Sequence, residues 1–201
     1  MKKIFLLLTL MLFSSMAFSQ AGLGVKAGGM MVTKTGNTID HNLKIVKASY
    51  LGGMFYGIPF NERFGLQLEL LYANKGRGEA RQFLIREDLH YLNLPIMLRY
   101  TVTKRWGIEL GPEIGYLLGQ RQFFTFGTQP PSPFQKNFDM AINLGMNYAL
   151  TKRLFLNLRY NLGIYDTSKP FHEVIISAEP EEDTFTGNRT LQLSLGYWLS
   201  Q

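Results

Sequence analysis

Cysteine is absent from all 201 residues, which excludes disulfide staples and a lipid anchor on a cysteine. Stability must come from the fold itself. Histidine is scarce: His41, His90 and His172 are the only three, on or beside different loop stretches, and no metal-ligand spacing joins them. No Ser/His/Asp grouping emerges, so no catalytic, cofactor-binding or metal-ligating residue is expected. A strong excess of one charge is also lacking. With Lys2 and Lys3 set aside, 19 basic residues face 15 acidic ones, too mild an imbalance for a nucleic-acid partner. Beyond the N-terminus no apolar run approaches the roughly 20 residues of a membrane helix. If the chain crosses a membrane, it crosses as strands.

The N-terminus reads as a cleaved secretory signal over residues 1–19, leaving 20–201 as one domain. Lys2 and Lys3 form its basic start, Ile4 to Phe13 its apolar core, and Ala17-Phe18-Ser19 a small-residue cleavage site.

What the chain has in quantity is alternation. Apolar and polar residues exchange strictly along Gly22–Val32, Ser49–Ile58, Phe64–Ala73, Tyr91–Val102, Trp106–Leu118, Phe138–Leu150, Leu154–Tyr165 and Thr190–Leu199. Such a period marks a strand with two unlike faces. Most segments exceed the usual strand of about 5–6 residues and match the roughly 9–11 that cross hydrocarbon at a tilt. Tight turns at 59–63, 103–105 and 151–153 alternate with long polar loops at about 33–48, 74–90, 119–137 and 166–189. This rhythm predicts an all-β fold: an eight-stranded antiparallel up-and-down transmembrane β-barrel with short periplasmic turns and long extracellular loops.

The hairpins suggest registers. "VTKRWGIEL" and "LTKRLFLNL" look like two copies of one device. Centred on Lys104, the first places Arg99 opposite Glu109; centred on Lys152, the second places Asn147 opposite Asn157. A centre at Asn61 would set Met54 against Leu68 and Gly53 against Glu69. Each choice keeps like faces together. Pro95 and Pro112 fall nearly opposite each other, which predicts a shared bulge, or a seam able to open sideways.

A soluble barrel of lipocalin type would turn its polar face to water. Here that face is crowded with glycine, including Gly24, Gly28, Gly53, Gly57, Gly111, Gly145 and Gly196, which suits a cramped lumen better than a solvated exterior. The lumen then receives the polar network of Lys26, Glu69, Arg99, Glu109, Glu113, Asp139 and Arg159, padded by Gln67, Asn93, Asn143, Asn147, Asn157, Asn161 and Gln192. The apolar face carries an aromatic girdle of Tyr72, Tyr100, Trp106, Tyr116, Tyr148 and Tyr197 toward the strand ends. From Trp106 to Tyr116 is a tilted height of roughly 25 Å, that of the apolar band. Arg63, Lys104, Arg105, Lys152 and Arg153 gather at the turns as a basic collar suited to anionic headgroups or a periplasmic protein.

"FGLQLELLYANKG", "YLNLPIMLRY", "IELGPEIGYLLG", "FDMAINLGMNYALTKRLFLNLRYNLGI" and "LQLSLGYWL", taken in order, resemble the porin-like outer-membrane β-barrel proteins of Bacteroidetes, the PorT-like group. The resemblance covers nearly the whole of 20–201 and implies residence in the outer membrane. One of the group is associated with the secretion system used for gliding motility and protease export. No residue signature of that role is present, so no site is carried over. Outer-membrane barrels often end on an aromatic residue; this chain ends Ser200-Gln201, which shifts any recognition by assembly machinery to Tyr197 and Trp198.

The expected function is that of a non-enzymatic envelope scaffold or interaction protein, linked to secretion. A narrow channel for protons, water or small ions, and a rim-sited enzyme acting on lipid or peptide, are the alternatives. The expected partners are outer-membrane lipids and a periplasmic or outer-membrane protein. Neither nucleic acid nor a cofactor is expected, and the barrel is expected to be a monomer.

Overall fold

The computed structural model describes residues 21–35, 46–77, 84–124, 127–129, 137–164 and 187–200. The proposed signal segment, His41, His172 and most of the expected loop stretches lie outside them. Nine strands occur among the described residues: β1 (Gly22–Thr35), β2 (Lys47–Pro59), β3 (Phe64–Arg77), β4 (Leu84–Thr101), β5 (Trp106–Phe124), β6 (Gly127–Gln129), β7 (Phe138–Ala149), β8 (Leu154–Gly163) and β9 (Gly187–Trp198).

A single turn device sets the hairpins. In Val102–Arg105 the hydroxyl of Thr103 accepts from the amides of Arg105 (3.3 Å) and Trp106 (3.1 Å). Thr151 does the same for Arg153 and Leu154, at 3.2 and 2.9 Å. Asn61 completes the set, its side-chain oxygen accepting from Arg63 and Phe64 at 2.9 and 2.8 Å. A short polar side chain that bonds its own backbone is the usual way to hold so tight a reversal. In each turn, two successive amides also donate to the carbonyl that opens the next strand, such as Val102 and Thr103 to Trp106. The device therefore recurs three times.

It also corrects one register. The centres at Lys104 and Lys152 hold, with Arg99 opposite Glu109 and Asn147 opposite Asn157. The β2–β3 turn, however, centres on Glu62: Met54 faces Leu70, Gly53 faces Leu71, and it is Tyr56 that meets Leu68. Asn61 corresponds to Thr103 and Thr151, the capping position, so placing the centre there slips the pairing by two residues. Parity survives such a slip, and the faces with it.

All pairings are antiparallel, each long strand bonds two neighbours, and β1 pairs β9 to close the ring. The result is a closed barrel of eight long strands. β6 is a three-residue appendage pairing with the far end of β5. Closure matters because in hydrocarbon every backbone amide must find its partner within the protein. The three tight turns, the start of β1 at Gly22 and the end of β9 at Trp198 share one end of the barrel.

Several strands run further than alternation indicated. β3 continues to Arg77 and β4 begins at Leu84, so much of the expected 74–90 loop is sheet, and β5 reaches Phe124. Asn74-Lys75-Gly76 opens the expected 74–90 loop, yet it lies within β3. Gly76 takes φ +128° there, and a Cβ would stand 2.1 Å from the carbonyl oxygen of Glu87. Only glycine lets the strand pass.

The prolines also act differently from expectation. No bulge occurs at Pro95 or Pro112; the β4–β5 shifts fall between Leu84 and Arg86 and between His90 and Tyr91. Instead the ladders lapse at constant register. β3–β4 pairing skips from Leu68↔Ile96 to Leu71↔Asn93, and β4–β5 pairing from Pro95↔Glu113 to Leu98↔Leu110. A proline ring removes the donor a rung needs and leaves the strand's course intact.

The two faces separate cleanly. Along β8, Phe155, Asn157, Arg159, Asn161 and Gly163 are buried, while Leu158, Tyr160 and Leu162 are exposed. Arg159 has no exposure at all, against 39% for Leu158. An inside that is charged and buried, with an outside that is apolar and bare, inverts the water-soluble arrangement.

Candidate functional site

The lumen is built in layers. At its centre Arg159 on β8 reaches across to β3 and β5. Its guanidinium forks onto Glu69 (Nη1 to Oε2 2.9 Å, Nη2 to Oε1 2.7 Å) and also donates from Nε to Oε1 of Glu109 at 2.7 Å. Lys26 on β1 adds a second cation, 3.3 Å from Glu69. Gln67 donates to Glu69, and Asn147 and Asn157 donate to Glu109. These charges are buried, so each would cost several kcal/mol if unpaired; paired and hydrogen-bonded, the layer balances itself.

A second layer lies toward the loop end. Lys75 on β3 bonds Glu113 on β5 at 3.1 Å and Asp139 on β7 at 3.0 Å, beneath the ring of Tyr91. Asn143 and Asn188 donate to the same two carboxylates. Beyond it, Lys47 bonds Asp88 and Asn74. Beside these layers Met30, Val32, Leu51, Leu71 and Ala73 fill the lumen with apolar bulk.

Toward the turn end the lumen is crossed by an aromatic plate. Phe55 packs edge-on against Phe155 (5.5 Å) and Trp198 (4.6 Å). Glycines on neighbouring strands give these rings their space: a Cβ on Gly24 would sit 2.2 Å from the Phe55 ring, and one on Gly196 2.1 Å from that of Phe155. Beyond the plate a vestibule of about 520 Å³ opens at the turn end, with Arg99 and Trp198 in its lining and the three hairpin turns around it.

Of the residues expected in the lumen, Lys26, Glu69, Glu109 and Arg159 meet in one cluster, and Glu113 and Asp139 in another. Arg99 stands apart. Although opposite Glu109 in the ladder, it donates to Gln67 at 2.9 Å and stacks on Phe155 and Trp198, and no ion pair forms among the described residues. Glu109 is already taken by Arg159, which stands two strands along on the same row, with only Gly145 of β7 between them. The hairpin register about Lys104 could not show that competition, which needs the β5–β7 pairing as well.

Tyr72, Trp106, Tyr116 and Tyr197 are exposed on the outer face, with Tyr100 and Tyr148 half-buried there. Their rings pair with neighbours: Trp106 with Tyr148, Tyr100 with Phe64, and Tyr116 with Phe138. Trp198 faces inward, which leaves Tyr197 as the outward aromatic of β9. Sequence reasoning missed Lys75, Lys47 and Asp88 in the interior, and the Phe55–Phe155–Trp198 plate. For the plate a signal existed: Phe155 occupies a polar-face position flanked by lumen glycines in the sequence neighbourhood of its partners. Of the histidines, His90 is described; its Nδ1 lies 2.5 Å from the Tyr72 hydroxyl. Among the described residues no group of three or more His, Cys, Asp or Glu could hold a metal ion.

A closed eight-stranded barrel, polar within and apolar without, girdled by aromatic side chains, is a membrane-spanning β-barrel. The chain belongs to the outer membrane protein beta-barrel domain family, whose model matches residues 15–169, and its place is the outer membrane. The fold is similar to that of Neisserial surface protein A (NspA), at 11% identity and a TM-score of 0.61 over 89% of this chain and 99% of that one. It is similar also to Ail, the attachment invasion locus protein of Yersinia pestis, solved in complex with the heparin analogue sucrose octasulfate, at 12% identity and a TM-score of 0.53 over 90% of this chain and 99% of that one. At such identities the likeness is one of fold. No curated protein matches the sequence.

Proposed function

We propose that this protein is a non-enzymatic scaffold or interaction protein of the outer membrane: a monomeric, plugged barrel of the PorT-like group of Bacteroidetes, linked to secretion. The observation that carries the reading is Arg159, whose guanidinium ties β3, β5 and β8 together through Glu69 and Glu109 across the barrel axis. A pore would need that space. With the lumen committed to structure, function passes to the surfaces: the apolar face to lipid, the turn end to a periplasmic protein.

One observation favours the narrow channel. The side-chain oxygens Asn93 Oδ1, Asp139 Oδ1, Asn161 Oδ1 and Asn188 Oδ1 are buried without a hydrogen-bond partner and could accept from a file of water in the loop-side half. Such a file would still meet the Arg159 layer and then the aromatic plate. Conductance in planar bilayers decides between the two. The scaffold reading expects no steady current from the folded protein, whereas reproducible unitary currents at neutral pH would establish the channel.

A further inference from the structure

The turn-end vestibule differs from the lumen above it in the make-up of its charge: cations dominate it, whereas in the lumen every described cation stands among carboxylates. Six cationic side chains line it, Arg63, Arg99, Lys104, Arg105, Lys152 and Arg153, against one carboxylate, Glu62. A concave site of one sign with low-dielectric walls concentrates its field at the mouth and draws in counter-charge. The turn device explains the placement, since each of the three tight turns ends on arginine immediately before the next strand.

Arg99 gives the vestibule a floor. Its guanidinium lies 5.6 Å from the centre of the Phe155 ring and 5.8 Å from that of Trp198, and one nitrogen donates to Gln67. Three contacts fix the plane of the group while leaving most of its five N–H donors unspent. Arg159, by contrast, is fully engaged by two carboxylates. A planar, oriented guanidinium on an aromatic base is the arrangement that grips a carboxylate through two parallel hydrogen bonds.

We propose that the vestibule receives an acidic peptide segment from the periplasm, one carboxylate of which docks on Arg99 while the turn cations hold the flanking acidic residues. This rests on the scaffold reading and gives its partner a chemistry. A volume of about 520 Å³ holds a few residues of extended chain. A phospholipid headgroup fits less well. The acyl chains must stay in the annulus outside the strands, so the headgroup would have to bend over the turns to reach a floor set inside the ring.

The test uses the full-length barrel in phosphatidylcholine nanodiscs. The probe is a short synthetic peptide of alternating Glu and Ser, with the Gln/Ser peptide as control. Binding is read by calorimetry and by the emission of Trp198 in a Trp106→Phe background. The expected result is saturable binding of the acidic peptide that weakens with salt, no binding of the control, and a loss of about tenfold or more in affinity for Arg99→Met. Arg99→Lys, which keeps the charge and loses the fork, should recover little of it. Gel mobility without heating verifies that each variant is folded. If Arg99→Met does not fold, the exposed-turn double variant Lys104→Gln/Lys152→Gln takes its place, and a shallower salt dependence is expected. Absence of saturable binding to the wild type, or equal binding by the folded Arg99 variants, overturns the proposal. So does an Arg99-dependent Trp198 shift on adding phosphatidylglycerol to the disc when the peptide gives none, which would assign the site to a headgroup. Failure of the scaffold reading would show separately, as current through the protein without peptide.

Discussion

Replacing Arg159 by methionine removes the group that neutralises the buried Glu69 and Glu109 at once. Glu69 keeps Lys26 at 3.3 Å and the amide of Gln67, while Glu109 keeps only the amides of Asn147 and Asn157. One cation then faces two anions within the layer. Breaking a single buried pair costs about 3–5 kcal/mol, and because Glu109 is left without any cation we expect the upper part of that range. Adding Glu109→Gln restores the balance, since Lys26 and Glu69 remain as a matched pair. The double variant should therefore be more stable than Arg159→Met alone, with a coupling of roughly 0.5–3 kcal/mol. Arg99→Met should cost less than Arg159→Met, because Arg99 has no ion pair to lose. Urea unfolding in lipid vesicles measures Arg159→Met, Glu109→Gln, their double variant and Arg99→Met. Additivity to within about 0.3–0.5 kcal/mol would refute the reasoning, for it would mean that Arg159 and Glu109 do not share a balanced site.

Two further outcomes follow from the geometry. Leu158→Arg should impair folding into bilayers by roughly 2–4 kcal/mol, since it puts arginine at mid-height on the outer face, whereas Asn157→Arg meets chiefly a problem of bulk inside; equal penalties in a vesicle-folding titration would count against the assignment of faces. Gly196→Ala should destabilise by about 1–3 kcal/mol through its clash with the Phe155 ring, and Phe155→Ala in the same chain should relieve that clash; chemical unfolding of the two singles and the double would detect it, and no relief would mean the plate is not packed as described.

How much of this was legible depends on whether a feature is local to one strand or shared among several. The period of two is written into each strand, so β8 and β7 could be read almost to their ends, and with them the faces on which Arg159 and Leu158 lie. The Thr103 and Thr151 turns are local too, and they gave correct registers. Asn61 was harder, because the same cap is made by a different side chain in "FNER", and equivalence to "VTKR" shows only once the hydrogen bonds are seen. Lys75 was lost because it fell in the expected 74–90 loop, and its partners Glu113 and Asp139 come from other strands. The exchange of partners between Arg99 and Arg159 depends on the β5–β7 pairing, which sets Gly145 between Glu109 and Arg159 and which no tight turn fixes. The Phe55 plate gathers rings from β2, β8 and β9 and required Gly24 on β1 and Gly196 on β9 to stand beside them.

The central claim is that the polar face is a dry, filled interior and the apolar face meets lipid. Paramagnetic broadening of NMR signals tests it on the unmodified protein in nanodiscs, with a chain-labelled lipid in one sample and a soluble gadolinium chelate in another. The methyl groups of Leu158 and Leu162 should broaden with the lipid label, and the side-chain amides of Asn143, Asn157 and Asn161 with neither reagent. Broadening of those amides by the chelate would reveal a water-filled lumen, and broadening by the lipid label would show the faces to be inverted.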